Sequence, residues 1–67
     1  MISFRKLFDL LESQGKKKYW LGKRIGHHLV RYMENGQNVT VSTINKACTA
    51  LNCQPGDIME FIPEEEQ

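Results

Sequence analysis

Residues 21–36, with the sequence LGKRIGHHLVRYMENG, constrain the fold more than any other part of the chain. Apolar residues spaced three or four positions apart predict two short helices that meet at Gly26. The inner positions are Leu21 and Ile25 in the first helix and Leu29, Val30 and Met33 in the second.

The open face of the second helix would carry large polar and aromatic side chains. They are His27, His28, Arg31, Tyr32 and Asn35. Side chains of this kind suit the reading of base edges in the major groove of a DNA duplex. The alternative is an ordinary solvated helix face, and the flanking sequence has to decide between the two.

The charges of the chain are unevenly distributed, although the net charge is only +1. Residues 16–31 carry six positive charges and no acid, whereas residues 57–66 carry five negative charges and no base. The basic run coincides with the predicted helix pair, as a surface that faces phosphates would require. This coincidence favours DNA binding over a merely solvated surface.

The length of 67 residues predicts a single domain that spans residues 1–67. A chain of this size is too small for most enzymes that must enclose a substrate, so neither an enzyme nor a cofactor is expected. No apolar run approaches the roughly 20 residues of a membrane span, and Arg5, Lys6 and Asp9 interrupt the N-terminal apolar stretch. We therefore expect a cytoplasmic protein that does not bind membranes.

The cysteines and histidines do not form a recognisable site. Two cysteines, Cys48 and Cys53, are too few for a disulfide framework. The spacing of these cysteines and of His27 and His28 matches no zinc motif, so no metal site is predicted. Cys48 is expected to be a small core residue.

Five helices are predicted, at about residues 3–14, 17–24, 27–35, 41–52 and 55–61, followed by an acidic tail at residues 63–67. Ser3 is a candidate N-cap of the first helix, and Gly15 and Gly36 follow the first and third helices as C′ residues. Either Thr40 or Ser42 would cap the fourth helix. The fifth would begin with Pro55, which suits a first helical position.

Apolar spacing also predicts which side chains of the later helices point inward. The fourth helix would bury Val41, Ile44, Ala47, Cys48 and Leu51. The fifth would offer Ile58, Phe61 and Ile62 for packing. Gly22, inside the second helix, suggests a close crossing of helices.

The sequence also predicts positions for Trp20 and for the N-terminal residues. Trp20 is interpreted as a core anchor rather than as a surface residue that lies against a phosphate. Met1 and Ile2 are expected to be extended and to pair with residues 59–62.

The motifs LGKRIG, MENG and KACTALNCQPGDIME together resemble the small XRE-like helix-turn-helix regulators of the Cro and cI phage-repressor type. The resemblance covers about residues 3–62. It implies an all-α, compact five-helix domain of the lambda-repressor-like kind, in which the third helix enters the major groove. It further implies a repressor-like regulator of transcription that binds a palindromic operator in double-stranded DNA as a homodimer.

The same resemblance implies roles for individual residues. Base-reading residues would be His27, His28, Arg31 and Tyr32, with Arg31 able to bind a guanine edge through two hydrogen bonds. The implied phosphate contacts are Lys16, Lys17, Lys18, Lys23, Asn35, Gln37 and Asn38. Glu34 would be structural, since an acid at this position repels phosphate unless a lysine or arginine neutralises it.

One departure from the family pattern concerns the turn. In the family, about five residues separate the turn glycine from the first buried aliphatic residue of the recognition helix. Here only three residues separate Gly26 from Val30, and no small N-capping serine or threonine is present. About two residues are missing, either at the turn or in the first turn of the recognition helix. In the alternative alignment the gap falls in the second helix, and Ile25 is the turn residue.

A protein-interaction module on the same scaffold, or an antitoxin-type regulator that binds a partner protein, is the alternative function. For a DNA-binding regulator, a homodimer is favoured. A single module on one half-site buries only about 600–1,000 Å² and would bind weakly alone. Phe61 and Ile62 are the candidate dimer surface.

Overall fold

The computed structural model describes residues 1–63 and is mainly helical, as predicted. Its elements are β1 (Ile2–Ser3), α1 (Arg5–Ser13), α2 (Lys18–Ile25), α3 (His27–Glu34), α4 (Val41–Leu51), a 3₁₀ turn (Pro55–Asp57) and β2 (Glu60–Phe61). Of the predicted acidic tail, residues 64–67 lie outside the described residues. Within residues 1–63 no helix is both long enough and apolar enough to cross a membrane.

The prediction of a fifth helix at residues 55–61 is wrong, and the described chain has four α-helices. Pro55 begins only the 3₁₀ turn, which is closed by a capping box in which the Gln54 backbone N–H donates to Asp57 Oδ2 at 3.0 Å. Ile58 then becomes fully buried. The chain after Ile58 extends into β2 because β1 offers it a strand to pair with.

The two short strands bring both ends of the described chain together. β1 and β2 pair in antiparallel fashion, with Ile2 opposite Phe61 and Ser3 opposite Glu60. The expected pairing of the N-terminal residues with residues 59–62 is thus confirmed. Ser3 is not the N-cap of α1, because it belongs to β1, and Phe4 occupies the cap position without a side-chain hydrogen bond.

One core lies between the four helices and the 3₁₀ turn. Its most deeply buried side chains are Leu7, Leu21, Met33 and Ile58. The prediction that Val41 points inward is wrong: its side chain is 83% exposed at the first position of α4. Thr43 takes the inner position instead and is 5% exposed.

Helix ends follow the sequence signals closely. Gly36, the second residue after α3, has φ +72°, and the Gln37 N–H donates to the Tyr32 carbonyl at 2.9 Å. Gly15 ends α1 in the same way. Thr40, not Ser42, caps α4, because Thr40 Oγ1 accepts from the Thr43 N–H at 3.3 Å. These caps fix the positions at which α3 and α4 begin and end.

Candidate nucleic-acid interface

Gly26 is the only residue between α2 and α3, which confirms the predicted meeting point of the two helices. Its N–H donates to the Gly22 carbonyl at 2.8 Å and so completes α2, while its own carbonyl accepts from the Leu29 N–H at 3.1 Å and begins α3. Gly26 has φ +116°, a conformation that favours glycine. No side chain caps the start of α3.

The outer face of α3 carries a continuous stripe of exposed side chains. Val30 and Met33 are buried on the inner face. Opposite them, one helical stripe of residues three or four positions apart is exposed and consists of His28, Arg31, Tyr32 and Asn35. We call these four residues the α3 stripe.

Within the α3 stripe, the His28 and Tyr32 rings meet edge to face, with centroids 5.9 Å apart and an interplanar angle of 88°. The Arg31 guanidinium makes no ion pair or hydrogen bond to any other residue in 1–63. Its five N–H donors therefore remain available to a ligand.

His27, predicted as a base-reading residue, lies beside this stripe and contacts α2. Its ring lies over Gly22, and its centroid is 5.2 Å from that of Tyr19. The signal for this arrangement was Gly22, which suggested a close approach of the two helices. The approach is made by a side chain of α3.

An ion pair joins α2 to α3. Lys18 Nζ donates to Glu34 Oε2, and the same ammonium group lies 5.2 Å from the Phe8 ring centroid. Glu34 thus has the cationic partner that a structural role at this position requires. Lys18, which is predicted to contact a phosphate, forms this ion pair through its ammonium group.

Three other cations of the basic run lie against aromatic rings of α2. Lys16 Nζ and the Arg24 guanidinium carbon lie 4.8 and 4.9 Å from the Trp20 ring centroid, and Lys23 Nζ lies 5.5 Å from that of Tyr19. Trp20 is half-buried, so it is both a core contact and a support for surface cations. Arg24 was not among the predicted site residues, although its i, i+4 spacing from Trp20 signals the contact.

The remaining predicted phosphate contacts lie at the two ends of the helix pair. Lys17 is exposed at the N-cap position of α2. Asn35, Gln37 and Asn38 are exposed at and after the end of α3. The whole surface presents hydrogen-bond donors and positive charge, with Glu34 as its neutralised acid.

Phe61 and Ile62, predicted as the dimer surface, belong to the paired chain ends and not to a helix. Phe61 is 68% exposed on β2, and Ile62, directly after it, is half-buried. The Ile62 N–H donates to the Met1 carbonyl at 2.7 Å, which fixes this segment beside the N-terminus.

The two thiols lie together at the end of α4, away from both histidines in the sequence. Burial raises the pKa of the Cys53 thiol to about 11; the charge and hydrogen bond of Cys48 and the charge of Asp57 add to the effect. Within residues 1–63, no group of three or more His, Cys, Asp or Glu side chains could hold a metal ion.

Comparisons with known proteins agree with this geometry. A family model described as a Cro/C1-type HTH DNA-binding domain matches residues 6–64. Among solved structures, the chain is similar to the crystal structure of the transcriptional regulator VanUg, Form II, with a TM-score of 0.87 and 32% sequence identity. The similarity covers 94% of this chain and 87% of that one. No curated protein sequence matches the chain.

Proposed function

The chain belongs to the Cro/C1-type helix-turn-helix family of DNA-binding domains, and from this premise we propose that it is a repressor-like transcriptional regulator that reads double-stranded DNA through α3. In this proposal α3 enters the major groove of an operator. The α3 stripe is the observation that carries it. The stripe presents exposed hydrogen-bond donors, and the acid beside it, Glu34, is neutralised by Lys18, as a surface that meets base edges needs.

Within the stripe, Arg31 is the proposed principal base-reading residue. Its guanidinium has no competing partner in residues 1–63, and arginine matches the O6 and N7 acceptors of guanine with two parallel hydrogen bonds. His28 and Tyr32 flank it on the same face and supply a ring nitrogen and a hydroxyl. They are the second and third proposed base contacts.

Phosphate contacts are proposed for the residues that surround the stripe. They are Lys16, Lys17, Lys23, Asn35, Gln37 and Asn38, and Arg24 is added to them because it shares the Trp20 ring with Lys16. Lys17 also lies beside the first turn of α2, where unpaired backbone N–H groups favour an anion.

A homodimer on a palindromic operator is part of the proposal. A single module that meets one half-site buries too little surface for tight specific binding. The exposed Phe61 ring on β2 is the proposed centre of the dimer contact, with Ile62 beside it.

The experiment is a selection of DNA sites from a random pool, followed by anisotropy titrations at 50 and 200 mM salt. A protein that neutralises about six phosphates should lose on the order of 10³-fold in affinity over this range. A mixed-sequence duplex without the selected motif is the control and should bind more weakly at both salt concentrations. Absence of binding at 50 mM salt to any duplex contradicts the proposal.

A further inference from the structure

Gly22 lies beneath the ring of His27. A Cβ atom at position 22 would lie 2.1 Å from His27 Nδ1, 2.6 Å from Cε1 and 2.9 Å from Cγ. These distances are far below van der Waals contact. One of them is to Cγ, the ring atom that is bonded to the His27 Cβ. The imidazole thus occupies the space in which any other residue would place its side chain.

The backbone of α2 does not itself require glycine at this position. Positive φ angles occur at Gly15, Gly26 and Gly36 but not at Gly22, which has ordinary helical geometry. Glycine in a helix interior is less favourable than alanine. The close approach of the His27 ring is therefore the structural reason for Gly22.

The His27 ring also contacts Tyr19, which lies one turn before Gly22 in α2. The centroids of the Tyr19 and His27 rings are 5.2 Å apart, with an interplanar angle of 31°. Lys23 Nζ lies 5.5 Å from the Tyr19 centroid and extends the stack along α2. His27 is therefore held by two residues of α2, although it is the first residue of α3.

The contact lies at the first turn of α3, which no side chain caps. Gly26 is the N-cap of α3 and has no side chain to cap it, and the connection to α2 is a single residue. The Lys18–Glu34 ion pair joins the same two helices near the opposite end of α3.

We infer that His27 is a positioning residue, which packs against Gly22 and Tyr19 and so orients α3 for DNA binding. His28 is then the first base-reading residue of α3. The inference rests on the proposed DNA-binding function. It assigns the two adjacent histidines different tasks because they point in different directions: His27 toward α2 and His28 toward Tyr32 on the outer face.

The test measures the affinity of His27→Ala and His28→Ala for the selected site and for each of its single-base variants. His27→Ala should weaken binding to all of these duplexes by the same factor, about tenfold. His28→Ala should instead relax the preference at one or two base pairs. Loss of preference at one position in His27→Ala, or unchanged affinity, would overturn the inference.

A double-mutant cycle with Gly22→Ala sharpens the test. Both single substitutions break the same contact, so Gly22→Ala should also weaken binding about tenfold and the double variant should be no weaker than either. An additive, roughly hundredfold loss contradicts a shared contact. Gly56→Ala is the matched control, because a Cβ at position 56 meets nothing within 4 Å, and it should leave the affinity unchanged.

A readout without DNA separates this inference from the proposed function. NMR of the wild-type chain should show nuclear Overhauser contacts from the His27 ring to the Gly22 Hα atoms and to the Tyr19 ring, and Gly22→Ala should lose them while remaining folded. Residual dipolar couplings should then report a changed angle between α2 and α3. If the wild type shows these contacts but binds no DNA, the proposed function fails alone; if the contacts are missing or the angle is unchanged, the positioning role fails.

Discussion

Lys18, the first residue of α2, forms an ion pair with Glu34, the last residue of α3. The pair removes the charge of an acid from a surface that is otherwise basic, and it uses one lysine of the basic run to do so. Both side chains remain well exposed, at 56% and 36%. The pair therefore contributes less than about 1 kcal/mol to stability, and its main effect is on the charge of the surface.

Glu34→Gln should tighten DNA binding. The substitution releases Lys18 to a phosphate and removes a repelling carboxylate, so the salt dependence should steepen by about 0.9 in log–log slope. Anisotropy titrations at four salt concentrations measure this slope. Glu60→Gln removes an acid that is paired with Arg5 and not with Lys18, and it should leave the slope unchanged; equal slopes for wild type and Glu34→Gln would contradict the prediction.

Arg31→Ala should abolish the preference for one base pair of the selected site. A guanidinium that binds a guanine edge contributes about 1–3 kcal/mol of discrimination, and the preference at the other positions should persist. Arg31→Lys should recover the charge without the discrimination, because an ammonium group does not reproduce the paired donors of arginine. Retained specificity in Arg31→Ala would exclude Arg31 as the reader.

Thr40→Ala should lower the free energy of unfolding by about 1 kcal/mol, because it removes the side-chain acceptor that caps α4. Ser42→Ala, two residues later and exposed, is the control and should change it by less than about 0.5 kcal/mol. Urea unfolding followed by circular dichroism gives both values. Reversed effects would mean that Ser42 is the cap.

Phe61→Asp should convert the proposed dimer to a monomer and weaken operator binding. The ring is largely exposed, so the folded monomer should survive the substitution. Sedimentation velocity measures the oligomeric state directly. Val41→Asp places the same charge on another exposed apolar residue and should leave the dimer intact; a wild-type monomer, or a dimer unaffected by Phe61→Asp, rules this surface out.

Stability should fall at high pH because of Cys53. Its folded-state pKa of about 11 is raised above the roughly 8.5 of an exposed thiol, so the folded chain keeps a proton that the unfolded chain releases. The contribution is complete below pH ~8.5 and is lost as the pH rises toward about 11. Urea unfolding at pH 8 and pH 10.5 should show a smaller loss for Cys53→Ala than for wild type, and equal losses would contradict the shifted pKa.

The helices could be predicted because their signals are local. Gly15 and Gly36 end α1 and α3, and the i, i+3, i+4 spacing of Leu7, Leu21 and Met33 with their neighbours identifies the faces that form the core. The prediction for Val41 was wrong because this residue is the first of α4, and its side chain lies beyond the part of the helix that packs on the core.

Contacts between residues that are not neighbours in the same helix could not be predicted in the same way. Residues 58–61 have helical spacing, but β1, from the other end of the sequence, pairs with Glu60 and Phe61. The contact of His27 with Gly22 likewise depends on the angle between two helices, which spacing does not give. Periodicity alone predicts the α3 stripe. It does not predict that His27 contacts α2 while His28 contacts Tyr32 on the outer face.

The single-residue joint at Gly26 has a thermodynamic consequence. Only the φ and ψ angles of Gly26 connect α2 to α3, so few backbone torsions are available to change the angle between the two helices. In the proposed DNA complex, α3 should therefore lose little backbone entropy on binding. The entropy cost of binding should then fall on the long side chains of the basic run.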